Sequence, residues 1–128
     1  MEPIKVLVVD DSAIVRKIFT QELSKHQDIV VVGTAPDPYV ARDKIVNLKP
    51  DVITLDIEMP RMDGYELTRH IRRSPRLQAI PIIMITSRTG EKHRRLAMEL
   101  GVNRYLGKPY QEAELLDEIS SVLMEAPA

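Results

Sequence analysis

The chain has 128 residues, no cysteine and a formal net charge of −1 at pH 7, enough for one domain around a single core. Disulfides, thiolate catalysis and zinc–thiolate sites are excluded, and the balanced charge offers no electrostatic case for nucleic acid or an acidic membrane surface. With no apolar stretch near the ~20 residues that span a bilayer and no signal-peptide pattern, a single cytoplasmic domain over residues 1–128 is expected.

Strand and helix patterns alternate along the chain. The first strand is expected over 4–9, where Val6-Leu7-Val8-Val9 runs into Asp10-Asp11. A helix follows, with Ile14 and Ile18, and Val15, Phe19 and Leu23, at helical spacing. A strand over 28–33 ends in Gly33-Thr34. Asp37 as N-cap and Pro38 at the first helical position open the second helix, which aligns Ala41, Ile45 and Leu48. The third strand, 52–55, runs into Asp56, and a helix is expected from about 63 to 73. The fourth strand, 81–85, runs into Thr86-Ser87. Its helix carries Leu96, Ala97 and Leu100 and stops at Gly101. The fifth strand, 103–107, runs into Lys108-Pro109, and a last helix carries Leu115, Ile119, Val122 and Leu123.

The apolar runs are continuous rather than alternating, which marks strands covered on both faces. The expected fold is therefore α/β: a (βα)5 doubly wound sandwich on a parallel five-stranded sheet, in the flavodoxin-like order 2-1-3-4-5. That order makes strands 1, 3, 4 and 5 consecutive neighbours. Their carboxyl ends then bring Asp10, Asp11, Asp56, Thr86 and Lys108 to one edge, where ligands of open α/β sheets bind.

Unit charges about 4 Å apart repel by ~4 kcal/mol at an effective dielectric near 20. Three carboxylates together therefore demand a proton or a cation, and oxygen-only ligands suit Mg²⁺ or Mn²⁺. An aspartate at Asp56 can attack phosphorus and form an acyl phosphate. A divalent cation, the Lys108 ammonium and the Thr86 hydroxyl can each meet one phosphoryl oxygen. Each residue alone has an ordinary reading: a helix cap at Asp10-Asp11-Ser12, a turn aspartate, a strand-end hydroxyl, a solvated lysine. Their joint placement on four strand ends argues for the site.

Val-Val-Asp10-Asp11-Ser, Leu-Asp56-Ile-Glu-Met-Pro-x-Met-Asp-Gly64, Ile-Thr86-Ser and Lys108-Pro109 together resemble the receiver domain of two-component response regulators, over essentially the whole chain. Residues 4–64 look like the receiver that precedes a chemotaxis methylesterase; about 65–123 look like receivers of chemotaxis and twitching-motility hybrid kinases. The resemblance implies a phosphorylated switch in a chemotaxis or motility pathway rather than an enzyme acting on an outside substrate. It implies phosphorylation of Asp56 by a histidine kinase or its phosphotransfer domain. It further implies Mg²⁺ held by Asp11, Asp56 and the backbone carbonyl of Glu58, with water-mediated help from Asp10. Thr86 and Lys108 would grip the phosphoryl group, Tyr105 would be the aromatic switch, and the Lys108–Pro109 peptide would be cis. The surface of strand 4, helix 4 and strand 5 would then bind a downstream target or a tethered output domain.

Glu58 and Arg88, two residues after Asp56 and Thr86, hold positions that flank the phosphoryl group in this family. An acid and a base there are expected to pair and to slow self-dephosphorylation. An aspartyl-phosphate phosphatase is the rival reading, but its Asp-x-Asp-x-Thr pattern is missing from Asp56-Ile57-Glu58-Met59-Pro60. A nucleotide-binding module would want a Gly-rich loop after strand 1, which is absent. A phosphate-independent scaffold is disfavoured by the intact acid set. The basic runs Arg69, His70, Arg72, Arg73, Arg76 and Lys92-His93-Arg94-Arg95 read as solvated helix faces or as docking sites for an acidic partner.

Overall fold

The computed structural model describes residues 2–56, 64–86 and 90–125. Its elements are β1 (Ile4–Val9), α1 (Ala13–Ser24), β2 (Ile29–Ala35), α2 (Pro38–Leu48), β3 (Val52–Asp56), α3 (Gly64–Arg73), β4 (Ile82–Thr86), α4 (Glu91–Leu100), β5 (Arg104–Gly107) and α5 (Glu112–Glu125). All strands are parallel, in the order β2-β1-β3-β4-β5. This is the expected doubly wound, flavodoxin-like sheet.

Strand side chains alternate between the two faces, and that period of two sorts the core into two layers. Leu7, Val9, Ile53, Leu55, Ile82 and Met84 pack with Ala41 and Ile45 of α2, Leu67 and Ile71 of α3, and Ala97 of α4. Val6, Val8, Val52, Ile83, Ile85 and Leu106 pack on the other face with Phe19 and Leu23 of α1 and Leu115, Ile119 and Val122 of α5. The Ser12 hydroxyl accepts from the Val15 N–H and the Asp37 carboxylate from the Val40 N–H, capping α1 and α2 as their sequences indicate.

Three expectations are corrected. β2 runs on to Ala35, because the register skips Val32 and pairs Gly33, Thr34 and Ala35 with Leu7, Val8 and Val9. Added to Gly33, a Cβ would lie 2.8 Å from a methyl of Leu48, so the glycine serves close helix packing rather than a strand end. In α1, Ile14 is 72% exposed and Ile18 53% exposed, and the core row is Phe19 and Leu23. In α4 only Ala97 is buried, and Leu96 stands in solvent.

Arg72 also departs from its reading as part of a solvated basic run. Its guanidinium donates to the carbonyls of Gly101 (2.9 Å), Gln78 (2.9 Å) and Ile80 (2.8 Å) and to Oδ1 of Asn103 (2.8 Å). Asn103 Oδ1 also accepts the Ile82 N–H at 2.9 Å. One side chain thus ties the end of α3 to the start of β4 and to the α4–β5 turn, on the sheet edge opposite the strand carboxyl ends. Burial lowers its pKa. Gly101, the left-handed stop of α4 at φ 110°, leaves room for it: a Cβ there would sit 2.8 Å from Cγ of Arg72.

Candidate functional site

β1, β3, β4 and β5 are adjacent, so the residues at their carboxyl ends share one edge of the sheet. Asp10 and Asp56 are buried and Asp11 is exposed, and ligand oxygens of the three lie within 4.8 Å of one another. Lys108 Nζ donates to Asp56 Oδ2 at 2.9 Å. The lysine is carried there by register and by the chain turn. Gly107 pairs with Thr86, the Lys108 N–H donates to the Thr86 carbonyl at 2.8 Å, and the Lys108–Pro109 peptide is cis. Thr86 ends β4 fully buried. Tyr105 pairs with Met84 and packs, partly buried, against the α2–α3–α4 side of the core. The structure thus brings Asp10, Asp11, Asp56, Lys108 and the end of β4 together. Glu58 and Arg88, and with them Met59 and Met62, lie outside the described residues.

The electrostatics follow from burial and crowding. The Asp10 pKa is raised from 3.8 to about 6. Burial is the main cause, and the carboxylates of Asp56 and Asp11 add to it; the Ser12 N–H bond at 2.9 Å and the Lys108 cation act against it. An all-oxygen donor set, crowded to this spacing and with the buried Asp10 reluctant to ionise, fits a hard divalent cation. The set has no sulfur or imidazole to favour a softer one.

Beneath the acids is a cavity of about 20 Å³, lined by Thr54, Phe19, Tyr110 and Ile85 among others. That is about the volume one water needs. Tyr110 closes the sequence stretch Tyr-Leu-Gly-Lys-Pro-Tyr, which gives it no role of its own. Its ring meets Phe19 edge to face, 6.5 Å between centroids and 70° between planes. Burial raises its phenol pKa, against the Lys108 cation and with the help of Asp10. An aromatic two residues past Lys108, on the same layer as Phe19, was the available signal.

Comparison with known proteins agrees with this geometry. Residues 6–120 match the family model described as "Response regulator receiver domain". Over 109 residues the chain is 62% identical to the protein-glutamate methylesterase/protein-glutamine glutaminase 2 of Syntrophus aciditrophicus, covering 85% of this chain and 32% of that protein. Over 111 residues it is 46% identical to the corresponding Escherichia coli K12 enzyme, covering 85% and 31%. The chain therefore spans about a third of the length of these curated relatives. A match of 109 residues runs well beyond residues 4–64, so likeness to methylesterase receivers extends into the second half. Among solved structures, the response regulator domain of Thermotoga maritima CheB superposes with a TM-score of 0.87 at 34% identity, over 98% of this chain and all of that one. Vibrio cholerae chemotaxis protein CheY4 gives 0.85 at 31% identity, over 94% and 98%. With its family match, these relatives and the shared fold, the chain belongs to the response regulator receiver domain family of two-component signalling.

Proposed function

We propose that this domain is a phosphorylation switch of a chemotaxis or motility pathway, with Asp56 as phosphoacceptor and a histidine kinase, or its phosphotransfer domain, as donor. The observation that carries the reading is the contact of Lys108 Nζ with Asp56 Oδ2 beside two further carboxylates. An oxygen of Asp56 attacks the donor's phosphorus, the P–N bond to the donor imidazole breaks, and the imidazole takes up a proton as it leaves. Asp10, Asp11 and Asp56 would hold Mg²⁺ or Mn²⁺, with the Glu58 carbonyl as the ligand the family pattern adds. That cation, when bound, supplies positive charge against the phosphoryl oxygens. Lys108 engages one Asp56 oxygen and is placed to shift its bond to a phosphoryl oxygen as charge develops there. Thr86 offers a hydroxyl from the end of the neighbouring strand.

Phosphate can move a conformational equilibrium only through contacts that differ between the two states. In this reading Thr86 and Lys108 make those contacts. The 2.8 Å bond between the Lys108 N–H and the Thr86 carbonyl couples them to each other, and Tyr105, on the strand that leads to Lys108, reports the change to the surface of β4, α4 and β5. The output is a downstream protein or a tethered output domain, and the chemistry of these residues is limited to their own phosphorylation and its hydrolysis. A cytoplasmic location is part of this proposal; no described helix is long and apolar enough to cross a membrane.

The test is incubation with acetyl phosphate and Mg²⁺, read by intact mass. Wild type should gain one phosphoryl group, and neither Asp56→Asn nor the EDTA control should. A gain in Asp56→Asn equal to wild type refutes the assignment.

A further inference from the structure

We infer that Arg16 is a positioning residue for the acid cluster: its grip on the Asp10 carbonyl fixes the β1–α1 turn that holds Asp11 against Asp10 and Asp56. The inference rests on the reading of that cluster as a divalent-cation site.

Asp10 is pinned at each of its polar groups. Its N–H donates to the Ala35 carbonyl at 3.0 Å, its Oδ1 accepts the Ser12 N–H at 2.9 Å, and its carbonyl accepts Nη1 of Arg16 at 2.7 Å. Asp11 is exposed, and among the described residues its carboxylate has no hydrogen bond or ion pair. What places Asp11 is therefore its backbone. The Asp10 carbonyl belongs to the planar peptide that joins the two aspartates, so anchoring that oxygen sets the orientation of the plane from which Asp11 departs. Ala35 and Ser12 hold other atoms of Asp10 and leave that plane free to rock. The bond from Arg16 removes the freedom.

The anchor is itself well supported. Arg16 lies in the first turn of α1, its own N–H donates to the Ser12 carbonyl at 2.9 Å, and helix and turn are tied twice. A bond of 2.7 Å from a guanidinium is at the short, charge-assisted end of the range. The direction of this cation also matters. It faces a backbone carbonyl, and the cation that touches the carboxylates is instead Lys108, through Asp56. Arg16 thus acts on the spacing of the acids and not on a carboxylate directly.

The test follows thermal unfolding of the 128-residue protein across a MgCl₂ titration from an EDTA baseline, for wild type, Arg16→Met, Arg16→Gln and Arg16→Lys. Neither Met nor Gln replaces the bond; Lys keeps one donor on a long stem. The Mg²⁺ concentration for half the stabilising shift should rise about tenfold in Arg16→Met and Arg16→Gln, the low end for residues that orient metal ligands. Arg16→Lys should recover most of the loss. A simple packing role would lower stability equally with and without Mg²⁺ and leave that midpoint unmoved; this result overturns the inference. Should Arg16→Met fail to fold, the Arg16→Gln midpoint decides in the same way. A wild type that shows no Mg²⁺ shift refutes the cation site itself, and this inference with it.

Discussion

Asp10→Asn should make the metal-free domain more stable, although it removes a residue of the site. Folding raises the Asp10 pKa from 3.8 to about 6. A raised carboxyl pKa means that the folded state holds its proton more tightly than the unfolded chain, so ionisation opposes folding by a cost that builds from pH 3.8 to about 6 and is complete above it. The full shift corresponds to about 3 kcal/mol at neutral pH. The acid pocket opens to solvent on its Asp11 side, and screening cuts this to roughly 1–2 kcal/mol. Asparagine keeps an oxygen to accept the Ser12 N–H and gives up only the charge. For a chain of this size the gain is a melting temperature roughly 4–8 °C higher in EDTA at pH 7.5. The pH dependence is the sharper arm. At pH 5 wild-type Asp10 is mostly protonated in the folded state, and the advantage of asparagine should shrink by about half. Mg²⁺ should reverse the order, stabilising wild type more than the variant. A variant no more stable than wild type in EDTA, or one whose advantage is the same at pH 5 and 7.5, would refute the argument that burial and crowding strain this carboxylate.

Other outcomes follow from the same contacts. Lys108→Met should slow acetyl-phosphate labelling by about 10²-fold, the usual loss when one preorganised donor is removed, and should push the Asp10 pKa higher still, readable by NMR titration of its carboxyl carbon. Gly101→Ala should destabilise by about 1–3 kcal/mol in urea unfolding, because alanine at positive φ is strained and its Cβ meets Arg72. Arg72→Met should cost about 2–4 kcal/mol, by orphaning the carbonyls at Gln78, Ile80 and Gly101, while leaving the Mg²⁺ midpoint in place. Glu58→Asn with Arg88→Ala should shorten the acyl-phosphate lifetime, and an unchanged decay rate would remove these two residues from the account.

The architecture was legible because buried parallel strands write themselves as continuous aliphatic runs. With strand order 2-1-3-4-5 in hand, the meeting of Asp10, Asp11, Asp56, Thr86 and Lys108 required only that each run end where its polar group begins. What escaped was decided by contacts across the chain. Ile14 and Ile18 sit at helical spacing equal to that of Phe19 and Leu23, and periodicity alone cannot say which row meets the sheet. Gly33 looks like a strand end until Leu48 is seen packed over it. Arg72 lies in a run of cations but finds its acceptors near residues 78–80 and 101–103, too remote in sequence for any local pattern. Tyr110 and Arg16 act through Phe19 and a backbone carbonyl, neither of which carries a motif.

The central claim is that Asp56 itself accepts the phosphoryl group. Borohydride reduction of the acetyl-phosphate-treated protein converts an aspartyl phosphate to homoserine, and peptide mapping by mass spectrometry then locates it. Homoserine at position 56, dependent on Mg²⁺ and absent from untreated protein, is the expected result. Homoserine at Asp10 or Asp11, or a phosphoryl group found on a histidine or serine with Asp56 unmodified, would contradict it.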